Sequence, residues 1–226
     1  SGLLTFLVNC CACSTLLSDE FGMRKLLTIL FLLMASAANA AESPTVLIFG
    51  DSLSAGYGLD IDQSWSALLQ QRLEEQGYEH RVVNASISGE TTEGGVTQIG
   101  AAIDEFSPEL IILELGGNDG LRGFPPERIK NNLRAIAERA RNSGAEVVLL
   151  GIKIPTNYGA RYTQAFEAVY EEVATELDIQ WIEFFMDGVA LNDDLLLEDR
   201  IHPNAKAQPI LLNNAWPIIH ATLQAL

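Results

Sequence analysis

The stretch Thr45-Val46-Leu47-Ile48-Phe49-Gly50-Asp51-Ser52-Leu53 decides how this chain folds. It begins with an apolar run of the kind that forms buried strands, and polar residues and glycines follow at once. Ser52 is therefore predicted to stand where a strand releases the chain at the carboxyl edge of a sheet. Open α/β sheets place their chemistry at that edge, which makes Ser52 the first candidate functional residue.

Downstream, apolar strand-like runs alternate with amphipathic helical stretches. The predicted strands are 45–49, 81–85, 109–115, 146–150 and 180–184. The predicted helices are 64–76, 91–106, 126–143, 162–177 and 205–223, the last with a candidate break at Pro217. This alternation indicates a parallel sheet covered on both faces and joined by right-handed crossovers. We expect an α/β fold, a flavodoxin-like three-layer α/β/α arrangement with a five-stranded parallel sheet of order 2-1-3-4-5.

The amino-terminal residues carry the pattern of a secretory signal peptide. Met23-Arg24-Lys25 is basic, the ten residues 26–35 are apolar except for Thr28, and Ala38-Asn39-Ala40 has the small-x-small cleavage pattern. The apolar run is too short for a membrane anchor, which needs about 20 residues. We therefore interpret 1–22 as sequence upstream of the true start and 23–40 as a signal peptide. Residues 41–226 are then a single periplasmic or extracellular domain.

All three cysteines, Cys10, Cys11 and Cys13, precede that domain. The domain itself therefore has no thiol, no disulfide and no thiolate metal site, although its expected compartment permits disulfides.

The charge of the chain excludes some partners. The net charge is −16, and because the charges of residues 1–40 cancel, the domain carries all of it. Such a surface repels nucleic acid and anionic membranes. We expect no nucleic-acid partner, no stable membrane insertion and a monomer, since nothing in the sequence indicates an obligate partner.

A base for Ser52 is available near the carboxyl terminus, in Asp199-Arg200-Ile201-His202-Pro203. Asp and His at positions i and i+3 can lie on the same side of a turn, so Asp199 can orient His202. His202 would then take the proton of Ser52 and return it to a leaving group. Taken alone, the spacing also fits an ordinary surface turn before a helix.

Two further segments can supply donors for an oxyanion. Gly89 follows the second predicted strand and can present a bare backbone N–H, and Asn118 follows the third strand within Gly116-Gly117-Asn118-Asp119. With the Ser52 backbone N–H they would make a three-donor oxyanion hole. Each segment alone is equally typical of a simple turn.

Taken together, Gly50-Asp51-Ser52-Leu53, Gly89, Gly117-Asn118-Asp119 and Asp199-x-x-His202-Pro203 resemble the four blocks of the SGNH (GDSL-type) hydrolases. Within that family the chain resembles the bacterial periplasmic thioesterase, lysophospholipase and arylesterase subgroup. The resemblance implies hydrolysis of carboxylic esters and thioesters through an acyl-enzyme on Ser52, without metal or organic cofactor. The implied substrates are aryl esters, acyl-CoA and lysophospholipids.

The resemblance also implies substrate-binding residues. A lid over the acyl chain would be formed by Gly120, Leu121, Arg122, Gly123 and Phe124. Ile154 and Pro155 would border the acyl groove.

Other functions have weaker support. A nucleotide- or flavin-binding module would need a Gly-x-Gly-x-x-Gly or Lys-bearing phosphate loop, which is absent after the first strand. His80 and His220 lie outside any motif, so a multi-histidine metal site is not expected. A carbohydrate O-deacetylase of the same family is the alternative within enzymes. A non-catalytic binding module is more remote, since Ser52, Asp199 and His202 are all present.

Overall fold

The structure is a computed structural model, and it describes residues 43–226. The predicted signal peptide at 23–40, the interpretation of residues 1–22 and the three cysteines lie outside the described residues.

The described chain forms a parallel sheet of five strands in the order β2-β1-β3-β4-β5. The strands are β1 Thr45–Gly50, β2 Arg81–Asn84, β3 Leu110–Glu114, β4 Glu146–Leu150 and β5 Gln180–Ile182. All four pairings are parallel, which confirms the predicted sheet and its order. The first strand therefore lies between the second and the third, and the carboxyl ends of these three strands lie side by side at one edge of the sheet.

Seven α-helices occur in the described residues. They are α1 Ser52–Ala55, α2 Trp65–Glu75, α3 Thr92–Phe106, α4 Gly117–Leu121, α5 Pro126–Asn142, α6 Ala160–Leu177 and α7 Gln208–Leu223. Sequence periodicity did not predict α1 and α4, because helices of four and five residues are too short to show an amphipathic repeat.

Two apolar clusters lie on opposite faces of the sheet. Leu47 and Phe49 of β1 face a cluster with α3, α5 and α6, whereas Val46 and Ile48 face α2 and α7. Because side chains alternate along a strand, an uninterrupted apolar run fills both layers at once. This is the packing that the sequence predicted from residues 45–49.

The last helix differs from its prediction. It begins at Gln208, three residues later than expected, and it continues through Pro217 without a break. Proline removes one backbone N–H from the helix. Leu211 and Ala215 before it and Ile219 after it are nevertheless buried in the core, so packing on both sides holds the helix together.

Candidate active site

Ser52 is the first residue of the short helix α1, directly after β1. Asp51 caps this helix, because its Oδ1 accepts a hydrogen bond of 3.0 Å from the Leu53 backbone N–H. Gly56 ends the helix in the left-handed conformation, with φ at 74°. Within residues 43–226 nothing accepts a hydrogen bond from the Ser52 backbone N–H. A donor is therefore left free beside the Ser52 hydroxyl.

His202 contacts both Ser52 and Asp199. Its Nε2 lies 2.9 Å from Ser52 Oγ, and its Nδ1 lies 2.6 Å from Asp199 Oδ2. Because an ionised carboxylate can only accept, Nδ1 carries the proton and the Nε2 lone pair faces the serine hydroxyl. The hydroxyl of Ser52 therefore has a proton acceptor within hydrogen-bond distance.

A turn holds Asp199 in place. Its Oδ1 accepts from the backbone N–H groups of Ile201 at 2.9 Å and His202 at 3.0 Å. Arg200 between them has φ at 58°, the left-handed value that closes the turn. Desolvation raises the pKa of Asp199, but the hydrogen bonds from His202 and Ile201 outweigh it and hold the pKa at about 2. Asp199 is therefore charged at neutral pH.

A cavity of about 280 Å³ opens at this end of the sheet. It is lined by residues 51–53, Gly117, Asn118, Leu121, residues 152–155, Met186, Ala190 and residues 200–202. Leu121, Ile154 and Pro155, which the resemblance assigned to substrate binding, are among them. Gly120, Arg122, Gly123 and Phe124 are not in this lining. Its wall is predominantly apolar and is therefore suited to hydrocarbon.

The two other candidate oxyanion donors lie in different positions relative to the cavity. Asn118 lines it together with Ser52. Gly89 is not part of the lining, and its φ of 81° explains why a glycine stands there. The Arg122 guanidinium donates to the Gly89 carbonyl at 3.3 Å, which brings Gly89 next to the segment after Asn118.

Asp119 ties the strand-end segments together. Its carboxylate is fully buried and accepts from the Thr92 backbone N–H at 2.9 Å and the Thr92 hydroxyl at 2.6 Å. Asn132 on α5 donates to the same hydroxyl at 3.0 Å. The start of α3, just after Gly89, is thus anchored to the residue that follows Asn118.

With this geometry in place, comparison with known proteins identifies the family. Residues 48–209 match the model of the GDSL-like lipase/acylhydrolase family. This match extends from β1 past His202 and so includes all four sequence blocks. The chain belongs to the GDSL-like lipase/acylhydrolase family.

Characterised members of the family are similar over most of their length. Esterase TesA of Pseudomonas aeruginosa is 47% identical over 89% of this chain and 100% of the relative. The arylesterase of Vibrio mimicus is 41% identical over 83% and 92%. Thioesterase 1/protease 1/lysophospholipase L1 of Escherichia coli K12 is 42% identical over 82% and 87%. With family membership, these relatives make the chain a serine ester hydrolase of the esterase and thioesterase type.

Solved structures of the family have the same architecture. The crystal structure of TesA superimposes with a TM-score of 0.76 at 50% identity, covering 77% of this chain and 97% of the other. The esterase EstA from Pseudoalteromonas sp., inhibited by monoethylphosphonate, gives 0.77 at 37% identity, covering 80% and 100%. Nearly all of each solved chain therefore has a counterpart in the structure of this chain.

A pair of buried carboxyl groups lies under Ser52 in this GDSL-like chain. Glu114 at the end of β3 is fully buried, and Asp51 is 2% exposed. Glu114 Oε2 accepts from the Ser54 hydroxyl at 2.7 Å and from the Asp51 backbone N–H at 3.4 Å. Burial, together with the nearby charge of Asp51, holds the pKa of Glu114 well above its usual range. Burial also raises the pKa of Asp51 to about 6.

Replacing Glu114 with glutamine should therefore stabilise the protein increasingly as the pH rises. Below about pH 4.5 both folded and unfolded states hold the Glu114 proton, whereas above it only the folded state does. The wild type then loses stability by up to about 1.4 kcal/mol per pH unit until the folded-state pKa is reached. The glutamine variant lacks this loss. Urea unfolding of both proteins between pH 4 and 8 measures the difference.

The control for that series is Glu171→Gln, an exposed carboxyl on α6. It should show no comparable pH trend. A constant difference between Glu114→Gln and the wild type across this pH range would mean that Glu114 is ionised in the folded protein.

Several residues of this site were not predicted from the sequence. Met186 and Ala190 line the cavity from the segment after β5, and the Tyr57 ring lies 4.3 Å from the His202 ring, centroid to centroid. No motif marks these residues. The only signal in the sequence is that Met186 and Ala190 follow a strand end and that Tyr57 follows the Ser52 segment. Asp51 and Glu114 had a clearer signal, since each is an acidic residue at the end of an apolar strand.

Residues 43–226 contain no group of three or more His, Cys, Asp and Glu side chains arranged to hold a metal ion. In the same part of the chain, no helix has both the length and the apolar character needed to cross a membrane.

Proposed function

We propose that Ser52 is the nucleophile of this ester hydrolase, His202 its general base and acid, and Asp199 the group that orients His202. The observation that carries the proposal is the hydrogen-bonded chain from Ser52 Oγ through both His202 nitrogens to the Asp199 carboxylate. Nucleophile, base and orienting acid in this order are what serine acyl transfer requires. Ser52 and His202, at one end of this series of hydrogen bonds, line a cavity large enough to hold a small ligand.

The reaction proceeds in two half-reactions. Ser52 Oγ attacks the acyl carbonyl while Nε2 of His202 takes its proton, and the C–O or C–S bond to the leaving group then breaks. His202 returns the proton to the departing alcohol or thiol, which leaves an acyl ester on Ser52. Water, deprotonated by His202, attacks this ester, and the carboxylic acid leaves as Ser52 regains its proton.

The negative charge of each tetrahedral intermediate would be stabilised by three donors, the Ser52 and Gly89 backbone N–H groups and the Asn118 side chain. The free Ser52 N–H beside the hydroxyl and the place of Asn118 in the same cavity support two of them. Gly89 is supported by its exposed backbone and its proximity to Arg122.

We further propose that the substrates are esters and thioesters of acyl chains, with aryl, CoA or lysophospholipid leaving groups. The apolar part of the cavity wall supports this choice. It is formed by Leu121, Ile152, Ile154, Pro155, Met186 and Ala190. A small, mostly apolar cavity gains free energy from each methylene that it removes from water. The acyl group would therefore occupy it, and the leaving group would face solvent.

The experiment that tests this choice is a kcat/KM series over acyl length with p-nitrophenyl esters. Each buried methylene contributes about 0.8 kcal/mol, so kcat/KM should rise about fourfold per carbon and level off once the cavity is full. Acyl-CoA and lysophospholipid with one matched acyl chain then separate the leaving groups. A series that is highest at acetate, with turnover of acetylated sugars, would instead indicate a carbohydrate O-deacetylase.

The enzyme for this series should be recovered after export by a Gram-negative host. We propose that the chain is exported and processed before Ala41, on the basis of the signal-peptide pattern in residues 23–40, and that it is monomeric. An amino terminus at Ala41 and the mass of one chain in solution are expected. Retention of residues 23–40 or a dimer mass would contradict the corresponding part of the proposal.

A further inference from the structure

We propose that Asp51 is a positioning residue that fixes the orientation of the Asn118 side-chain amide in the oxyanion hole. This inference rests on the proposed function, in which Asn118 stabilises the oxyanion. It assigns a task to the acidic residue beside Ser52, which takes no part in the proton transfers described above.

The contact that carries the inference is a hydrogen bond of 3.0 Å from Asn118 Nδ2 to Asp51 Oδ2. An amide nitrogen has two N–H groups and the amide oxygen has none. Asp51 takes one N–H, and the second remains available for an oxyanion in the cavity that Asn118 lines. With the amide turned over, its oxygen would oppose a carboxylate oxygen, and the donor would be displaced from its place.

Asp51 can enforce this orientation because its own carboxylate is held in place. It is 2% exposed, and its Oδ1 is occupied by the Leu53 backbone N–H. Its backbone N–H points at Glu114 Oε2, which also receives the Ser54 hydroxyl at 2.7 Å. Each oxygen of Asp51 therefore has one separate task, one capping α1 and the other facing Asn118.

Two glycines make room for this arrangement. A Cβ at Gly117 would lie 3.3 Å from Asp51 Oδ2, and a Cβ at Gly50 would lie 2.8 Å from Glu114 Oε2. Neither residue has a positive φ, so close approach rather than backbone strain explains the absence of a side chain at these positions. The backbone at Gly117 thus leaves room for the Asp51 carboxylate, and the backbone at Gly50 leaves room for that of Glu114.

An ionised acceptor also strengthens the donor that it holds. Hydrogen bonds to a carboxylate are stronger than those between neutral groups, and they polarise the amide that donates them. Burial raises the pKa of Asp51 to about 6, while the hydrogen bonds from Leu53 and Asn118 oppose the rise. Asp51 is charged at pH 8, the pH chosen for the test.

The test uses Asp51→Asn and Asp51→Ser at pH 8. Both new side chains can still cap α1, but neither presents a carboxylate oxygen to Asn118. We expect kcat to fall about 10²–10³-fold, the usual loss for one oxyanion donor, with KM changed less than about threefold. Affinity for a boronic acid that forms a tetrahedral adduct should fall with kcat. Asp104→Asn, an exposed acid on α3, is the matched control.

A double-mutant cycle separates positioning from general damage. If Asp51 acts through Asn118, adding Asp51→Asn to Asn118→Ala should lower kcat less than about threefold further. The same 10²–10³-fold loss in both backgrounds would overturn the proposal, and so would unchanged kcat in Asp51→Asn. If Asn118→Ala alone leaves kcat unchanged, the oxyanion role of Asn118 in the proposed function fails first. Thermal unfolding of each variant shows whether it folds. If Asp51→Asn does not fold, Asp51→Ser takes its place in the cycle.

Discussion

Replacing Ser52 with alanine should lower kcat for a p-nitrophenyl ester by about 10⁶-fold, to the level of a background reaction. The reason is that Ser52 Oγ is the atom that would become acylated, and the alanine variant has no atom at that place. Binding should survive, because the apolar cavity wall and the Asn118 amide do not depend on the hydroxyl. Single-turnover kinetics and the amount of acyl-enzyme trapped by acid quench measure this loss directly.

The control for this variant is Ser143→Ala at the end of α5. Its hydroxyl donates to the Ala140 carbonyl, so the substitution also removes one serine hydroxyl and its hydrogen bond, but away from the cavity. It should keep nearly wild-type kcat. Turnover by pure Ser52→Ala protein above one per cent of wild type would mean that the nucleophile is another group.

The sheet was predictable because burial on both faces leaves a direct trace in the sequence. Residues 46–49 and 147–150 read as uninterrupted apolar runs, and parallel sheets covered by helices require such strands. The strand order 2-1-3-4-5 was expected from the flavodoxin-like arrangement that the alternation of strands and helices favours. Helix ends were less predictable, as Gln208 shows, since their position depends on turns and caps.

A contact between Asp199 and His202 could be expected from the sequence because the two residues are only three positions apart. The 2.9 Å contact of His202 with Ser52 is not local, since the two residues are 150 positions apart in the sequence. The sequence indicated it only through the expectation that both segments lie at the carboxyl edge of one sheet. The resemblance to a known family then made that expectation specific.

That Asp51 and Glu114 lie next to each other could not be predicted, because their proximity depends on the register of β1 against β3. Gly50 is paired with Glu114, which places that carboxyl under the residue that precedes Ser52. A shift of one residue would turn Glu114 to the other face of the sheet. The cavity lining from Met186 and Ala190 was missed for a similar reason, since loop paths after β5 follow tertiary packing.

Replacing His202 with glutamine should lower kcat about as much as Ser52→Ala, by about 10⁵–10⁶-fold. Glutamine can still form a hydrogen bond with Ser52 Oγ, but its amide cannot take a proton at working pH. The turn should persist, because Asp199 Oδ1 is held by backbone N–H groups of Ile201 and position 202 that the substitution leaves in place. His220→Gln on α7, where the ring stacks on Trp216, is the matched control.

The decisive measurement is the combination of both substitutions. Because Ser52 and His202 would act as one unit, the Ser52→Ala, His202→Gln protein should be no slower than either single variant. A loss equal to the product of the two single losses would mean that the two side chains assist the reaction independently. The 2.9 Å contact between Ser52 Oγ and Nε2 would then be a hydrogen bond without a proton transfer.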